Sequence, residues 1–476
     1  MPYSTCNPLS NETLQTFTSL APEELNALLA RASEAQKQWR NTDPEERAQL
    51  ATRLADLTRE RQNELAALAT LEMGKPIKEA LAEIEKCALG CDYYSVHAAP
   101  FLAEEPYYTD AGKSYVSYTP IGVVLAVMPW NFPFWQVFRA AVPAILAGNT
   151  VVLKHASNVP QVAAAIEQLF RDAGFPEHVF TNAFAESKLI DQTIASPHVQ
   201  AVTLTGSARA GRSVAAQAGA QLKKCVLELG GSDPFIVLAD ADLELAATQA
   251  VIGRFQNCGQ SCIASKRFIL VPEIADEFIA LFKEKVAALK IGDPTREDTQ
   301  IGPMARPDLR DELHAQVQAS IAAGATAVLG CVPLPGNGNF YAPSILDNVT
   351  PAAPAYREEL FGPVAIILRA KNEEDALRLA NDTPYGLGAS LWSRDFEGAE
   401  DLGMQIEAGM IFVNGIVKSD PRLPFGGIKD SGFGRELSYH GIREFVNAKT
   451  VWVRDRAAHL GEERRQAERR QMARRN

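Results

Sequence analysis

Residues 201–220 read AVTLTGSARAGRSVAAQAGA. The first five are a short, apolar, partly β-branched run, Gly206 and Ser207 break it, and from Gly211 to Ala220 small and apolar residues recur at helical spacing. A strand that turns through glycine into a helix is half of a βαβ unit. The neighbouring half lies upstream, where NTVVLK (149–154) reads as a buried strand and Gln161–Ala173 as a helix. Strands alternating with helices predict a parallel sheet covered on its faces. The turn after Thr205 also presents backbone amides and a helix N-terminus to which a phosphate can dock. It is not GxGxxG, and no Walker A sequence is present, so this turn alone leaves the ligand open. Lys154 closes NTVVLK at the carboxyl end, where ligands bind in such sheets.

Working outward, residues 21–100 are rich in Ala, Leu, Glu, Arg and Lys with helical periodicity, and several amphipathic helices are expected there. From Ser114 the texture changes to SYVSYTPIGVVLAVMPWNFP, which suggests strands and a structured loop. The second half repeats the alternation: CVLELGG, PFIVLAD, a helix through ATQAVIGRFQN, RFILV, the helix ADEFIALFKEKVAALK, then GPVAIILRA and AGMIFVN. Two α/β domains follow. Tyr115–Tyr118 and Thr450–Val453 have no obvious place in either sheet, and orphan strands of this kind often pair with another chain.

The composition excludes several classes. Seven cysteines in 476 residues are too few for a disulfide-stapled secreted domain. The N-terminal MPYSTCNPLSNETLQTF lacks the charged and apolar regions of a signal peptide, and no run is long enough for a membrane span, so a soluble, cytoplasmic protein is expected. A formal net charge of −11 argues against nucleic acid as partner. The tail after Val453 is locally basic, with eight Arg and four acidic residues. It reads as a solvated helix or as a partner-binding arm.

Chemistry is suggested first by FQNCGQSCIASKR (255–267). Cys258 and Cys262 have no second Cys/His pair at zinc-site distance, so no metal is expected. A disulfide between them would bend the backbone sharply. Cys262 follows Gly, Gln and Ser just past a helix that should end near Asn257, and a thiol there is reachable and sits beside its own backbone N–H. Cys258 is either a packed residue or a redox partner of Cys262. Glu228 is an acid inside the apolar strand CVLELGG, and burial would raise its pKa toward general-base range. Asn131, held between aromatics and prolines in MPWNFPFW, offers an immobilised amide for an oxyanion. Arg139 stands in an apolar segment, WNFPFWQVFRAAVPAILAG, where an unpaired guanidinium is costly, so it either meets a bound anion, pairs with an acidic neighbour or snorkels to the surface.

WNFP, TGS, ELGG, GQSC, EELFGPV and PFGGIKDSGFGRE, in this order and at these separations, closely resemble the aldehyde dehydrogenase superfamily, from the helical start to about Val453. The resemblance implies a Rossmann-like cofactor domain (1–107 and 121–227), an α/β catalytic domain (228–437), a small β oligomerisation domain (108–120 and 438–453) and a basic tail (454–476). It implies a homodimer or homotetramer. It also places the catalytic thiol on Cys262, the general base on Glu228 and the oxyanion amide on Asn131. Thioester formation and hydrolysis to an acid would follow, since relatives that acylate coenzyme A commonly lack this Glu. Trp130, Lys154, Ser157, Gly206, Ser207, Glu359 and Phe361 match cofactor-binding positions. Where NAD-specific members carry a Glu, this chain has Ser157, which can donate to a 2′-phosphate that Lys154 pairs, so NADP is expected to be preferred with NAD also accepted. Arg139 matches the residue with which succinate semialdehyde dehydrogenases hold the substrate carboxylate, with Ser419 nearby and Trp135 and Phe425 as walls. The subgroup resembled is the shorter bacterial succinate semialdehyde dehydrogenases; glutarate semialdehyde, one methylene longer and so separated by only about 1–3 kcal/mol of discrimination, and a broader aldehyde range are the alternatives.

Overall fold

The computed structural model describes residues 3–454 and Arg470. The expected basic tail therefore lies outside the described residues, apart from Arg454 and Arg470. Four helices follow a short N-terminal hairpin: Pro22–Trp39, Pro44–Glu60, Gln62–Met73 and Ile77–Phe101. Sequence chemistry sets their ends. Asp43 accepts from the Glu45 amide at 2.9 Å with Pro44 at the first helical position, and Gly74 turns left-handed after Met73. The helix Ile77–Phe101 buries Ala80, Ile84, Cys87, Ala88, Cys91, Tyr94 and Ala98, the three-and-four spacing of a packed face.

A six-stranded sheet follows, ordered Gly432–Phe433, Lys224–Glu228, Val199–Thr205, Val123–Met128, Thr150–His155, Phe180–Asn182. All neighbours are parallel except the first pair. The chain winds outward from Val123–Met128 to one edge, then returns to Val199–Thr205 and winds the other way. The two strands in the middle thus form a topological switch point, and a crevice opens beyond their carboxyl ends, Met128 and Thr205. The second sheet has seven strands, ordered Thr326–Leu329, Ser344–Asp347, Val364–Arg369, Ser265–Leu270, Asp233–Val237, Gly388–Trp392, Met410–Val413, with only the first pair antiparallel. Each sheet carries its own apolar core, the first around Val124, Phe138, Leu153 and Ile166, the second around Phe235, Phe268, Ile345 and Ile366. This is the expected α/β architecture of the aldehyde dehydrogenase type.

The two orphan segments find each other. Val446–Val453 pairs antiparallel with Lys113–Pro120, and Glu105–Pro106 extends that sheet to three strands. Trp452, Val453, Tyr107 and Tyr108 remain exposed on or beside it. An N-terminal hairpin, Tyr3–Asn7 with Glu12–Phe17, gives little sign in the sequence because its second strand is almost wholly exposed and carries no buried face. Among the described residues no helix is long and apolar enough to cross a membrane, and no group of three or more His, Cys, Asp or Glu side chains could hold a metal ion.

Candidate active site

The loops leaving the two central strands build the first half of the site. Pro129, Trp130 and Asn131 follow Met128, and Gly206 and Ser207 follow Thr205. Together with Glu359, Phe361 and Cys262 they line a cavity of about 290 Å³. Ser207 caps the helix Ala208–Ala220, its hydroxyl accepting from the Ala210 amide at 3.3 Å, so free amides of that helix face the cavity mouth. Gly211 matters on the other face: a Cβ there would meet the Leu229 side chain at 2.5 Å. Trp130 and Phe361 meet edge to face, centroids 5.8 Å apart. Glu359 accepts from the Gly231 amide at 3.2 Å and pairs with Lys266 at 3.2 Å, and Gly230 gives its carboxylate the room it occupies.

Lys154, near the carboxyl end of the strand Thr150–His155, is 9% exposed. Burial pulls its ammonium down to about 8, and no neighbouring charge opposes that. It lies 6.0 Å from the Tyr3 ring centre, and no carboxylate of the described residues lies within salt-bridge distance of it. Three residues on is Ser157, its carbonyl accepting from the Ser4 amide at 3.0 Å. A buried cation without a carboxylate partner fits a phosphorylated ribose better than a bare diol.

A second cavity, of about 180 Å³, lies on the other side of the thiol and is lined by Trp135, Arg139, Phe425, Ser419, Ile416 and Lys86 among others. Cys262 and Gln136 line both cavities. The thiol thus stands at the junction of two spaces, each bounded by residues that the sequence singles out.

The thiol's loop is held tightly. The helix Leu243–Phe255 ends where expected, and Asn257, Cys258 and Gly259 follow with φ of 56°, 54° and 69°. Cysteine in that region is uncommon and costs about 1–2 kcal/mol, so the surroundings must impose it. They do: Asn257 donates through its side chain to the Asn131 and Gln260 carbonyls at 2.8 and 3.0 Å, its backbone N–H reaches Glu79 at 2.6 Å, and Gln260 is fully buried and bonded through both ends of its amide. The Arg254 guanidinium, also fully buried, gathers the carbonyls of Val364, Gly259, Leu360 and Gly362. These contacts clamp the loop. It turns the two cysteines apart, since Cys258 is 1% exposed within the core of the second sheet whereas Cys262 packs on the core of the first. Burial pushes Cys258 up to about 12. Burial also pushes Cys262 up, to about 11, against the pull of Arg139 and Lys266.

Asn131 is 3% exposed. Its amide donates to the Gln260 carbonyl at 3.0 Å and its oxygen accepts from Gln136 at 3.1 Å, which leaves its second N–H for a ligand. Glu228 is 2% exposed and neither carboxylate oxygen has a hydrogen-bond partner. It does not line either cavity but lies against Gly426. Burial, then the charge of Glu436, hold it well above the usual carboxylate range, while Arg139 and Arg435 pull the other way.

Arg139 is buried, as its apolar segment implied, and lines the second cavity. Its Nε forms an ion pair with Glu436, both side chains 3% exposed, and its Cζ lies 4.4 Å from the Phe425 ring centre. Glu436 comes from GFGRE, far along the chain, and no local pattern marks it as this partner. Other positioning residues also escaped the sequence reading. His155, which burial holds neutral at about 4, ties the Pro133 carbonyl of the WNFP loop at 2.9 Å. Glu83 accepts from the Phe134 and Trp135 amides at 2.9 Å each and fixes the start of the helix that carries Trp135 and Arg139.

A parallel sheet with a nucleotide crevice at its switch point, a thiol at the inner end of that crevice and a buried carboxylate behind it define a cofactor-linked aldehyde-oxidising site. The family model described as the aldehyde dehydrogenase family matches residues 1–451, and the chain belongs to that family. It is 52% identical over 453 residues, covering 95% of this chain and 100% of the other, to a Synechocystis protein named a probable succinate-semialdehyde dehydrogenase (NADP(+)). It is 49% identical over 446 residues, 94% of this chain and 96% of the other, to the Escherichia coli succinate semialdehyde dehydrogenase (NAD(P)+) Sad. Among solved structures, succinic semialdehyde dehydrogenase from Streptococcus pyogenes in complex with NADP+ superposes with a TM-score of 0.93 at 39% identity, covering 95% of this chain and 100% of that one.

Proposed function

We propose that the protein oxidises succinate semialdehyde, or a closely similar short aldehyde acid, to the dicarboxylate, with NADP as preferred acceptor and NAD as the second. The observation that carries this reading is the position of Cys262, shared between a crevice suited to a dinucleotide and a small cavity with aromatic walls and cations. The names of the relatives point to the same reaction.

In this reading Gly206 and Ser207 face the pyrophosphate, Trp130, Glu359 and Phe361 hold the nicotinamide side of the cofactor, and Lys154 and Ser157 hold the phosphorylated ribose. When bound, the cofactor supplies the hydride acceptor. Cys262 loses its proton and its sulfur attacks the aldehyde carbon. The oxyanion that forms is held by the free Asn131 N–H and the Cys262 backbone N–H. Loss of hydride leaves a thioester on Cys262. Glu228, ionised and turned from Gly426 toward the thioester, takes a proton from water, and the hydroxide expels the thiol as the acid forms. A base with a raised pKa suits that task, because its ionised form grips the proton of water more strongly. The exposed three-stranded sheet, with Trp452 and Val453 on a free edge strand, supports a homodimer or homotetramer built through it. Seven free cysteines accord with a reducing, cytoplasmic setting.

The test is a comparison of kcat/KM for succinate semialdehyde and for butanal with NADP. The acid should be favoured by at least about 100-fold, the worth of one charge-assisted contact in a water-poor cavity. Equal use of butanal would defeat the aldehyde-acid assignment.

A further inference from the structure

Arg139 lines the second cavity with its Nε already paired to Glu436, and the cavity holds a second cation. Lys86 lines the same cavity. It projects from the helix Ile77–Phe101 with its ammonium 4.8 Å from the Trp135 ring centre and 2.6 Å from the Ser419 hydroxyl oxygen. No carboxylate of the described residues reaches salt-bridge distance of it. Glu79, which lines the same cavity, accepts from the Asn257 amide at 2.6 Å, and burial pushes its carboxyl up to about 7. The other acidic neighbours are engaged elsewhere. Glu83 holds Lys75 with one oxygen and the Phe134 and Trp135 amides with the other. Asp420 holds Arg422 through both oxygens, at 2.8 and 2.6 Å. Ser419 accepts from Lys86 and from the Trp135 indole N–H at 3.0 Å. With both acceptor positions taken, its own O–H is left to donate.

We propose that Lys86 is a further charge partner of the substrate's distal carboxylate, beside Arg139 and with Ser419 as a donor, and that Lys86 thereby helps to select an aldehyde acid over a neutral aldehyde. This rests on the function proposed above. Arg139 lines the same cavity and is positioned through its Nε by Glu436. The ammonium has a measurable signature. Burial brings it down to about 8, Arg139 from the neighbouring helix acts in the same direction, and Cys87 and Glu83 on its own helix and Asp420 on the facing loop pull it up. Lys86 is therefore charged below about pH 8 and loses that charge above it, so recognition of an anion weakens as pH rises.

The experiment compares wild type, Lys86→Met and Lys86→Arg with saturating NADP, measuring kcat/KM for succinate semialdehyde and butanal from about pH 6 to about pH 9.5. Dividing the two removes the titrations of Cys262 and Glu228, which both aldehydes share, and any limb from Glu79, which becomes anionic above about pH 7, persists in all three proteins and is read from Lys86→Met. The acid-to-neutral ratio should fall at least about 30-fold in Lys86→Met and be largely kept in Lys86→Arg. In wild type it should fall above about pH 8, and that limb should vanish in the Met variant and move beyond the range in the Arg variant. A Met variant with the parental ratio, or a wild-type ratio flat to the highest pH, would overturn the proposal while leaving the aldehyde-acid reading intact. A wild type without preference for the acid would instead remove that reading itself. Should Lys86→Met fail to fold, the wild-type pH limb and its displacement in Lys86→Arg still decide.

Discussion

Replacing Ser157 by Glu should turn the enzyme from NADP to NAD. Lys154 is 9% exposed, has no anionic partner and is held near 8 by burial alone, so a 2′-phosphate finds an uncommitted cation beside a neutral hydroxyl. A carboxylate introduced at position 157 would neutralise that cation and face the phosphate. Two negative charges about 6 Å from one repel by about 3 kcal/mol at an effective dielectric constant of about 40. For NAD the same carboxylate gains hydrogen bonds from the ribose hydroxyls, about 1.5 kcal/mol net. The sum, about 4.5 kcal/mol, moves the ratio of kcat/KM for NADP over NAD by roughly a thousandfold toward NAD. The assay is initial-rate NAD(P)H formation with saturating succinate semialdehyde at low ionic strength, where the repulsion is least screened. A pH series on wild type gives a companion reading: Lys154 is charged below about pH 8 and neutral above it, so the NADP to NAD ratio should decline above that point. A Ser157→Glu ratio that moves less than tenfold would refute the reasoning, because it would mean that the phosphate does not lie against residue 157.

Removing the oxyanion donor in Asn131→Ala should lower kcat by about 100- to 1000-fold, with NADP affinity measured separately by fluorescence quenching as the control for an intact crevice. In Glu436→Gln, Glu228 loses the like charge that helps to raise it and gains more of Arg139's field. Both changes lower its pKa, so the acid limb of the kcat profile should move to lower pH. Peroxide should inactivate Cys258→Ala as fast as the parent, and with the same reversal by thiol, because Cys258 packs in the core of the second sheet, away from the site. Protection by that substitution would show instead that the two sulfurs meet.

The sequence made the architecture legible wherever a pattern is local. AVTLTGS announces a strand, a turn and a helix cap within a few residues, and the observed strand ends at Thr205 with Ser207 as the cap. Glu228 stood out because an acid in an apolar strand conflicts with its neighbours, and it is indeed buried. What escaped was set by contacts between distant segments. Arg139 was rightly marked as an anomaly, but its partner Glu436 arrives from the far end of the chain on a segment that pairs with the edge of the first sheet. Lys86 looked like an ordinary lysine on an amphipathic helix, since nothing in its own helix says that Glu83 is already occupied or that Ser419 will face it. The divergence of Cys258 and Cys262 likewise follows from three consecutive left-handed residues that spacing alone does not foretell.

The central claim is that oxidation passes through a thioester on Cys262 that Glu228 clears. Rapid mixing of Glu228→Gln with NADP and succinate semialdehyde, followed by mass analysis of the peptide carrying Cys262, tests it most directly. The account predicts a burst of about one NADPH per active site, slow turnover afterwards and an acyl group on Cys262. Steady turnover at the parental rate with no acyl group on Cys262 would contradict it.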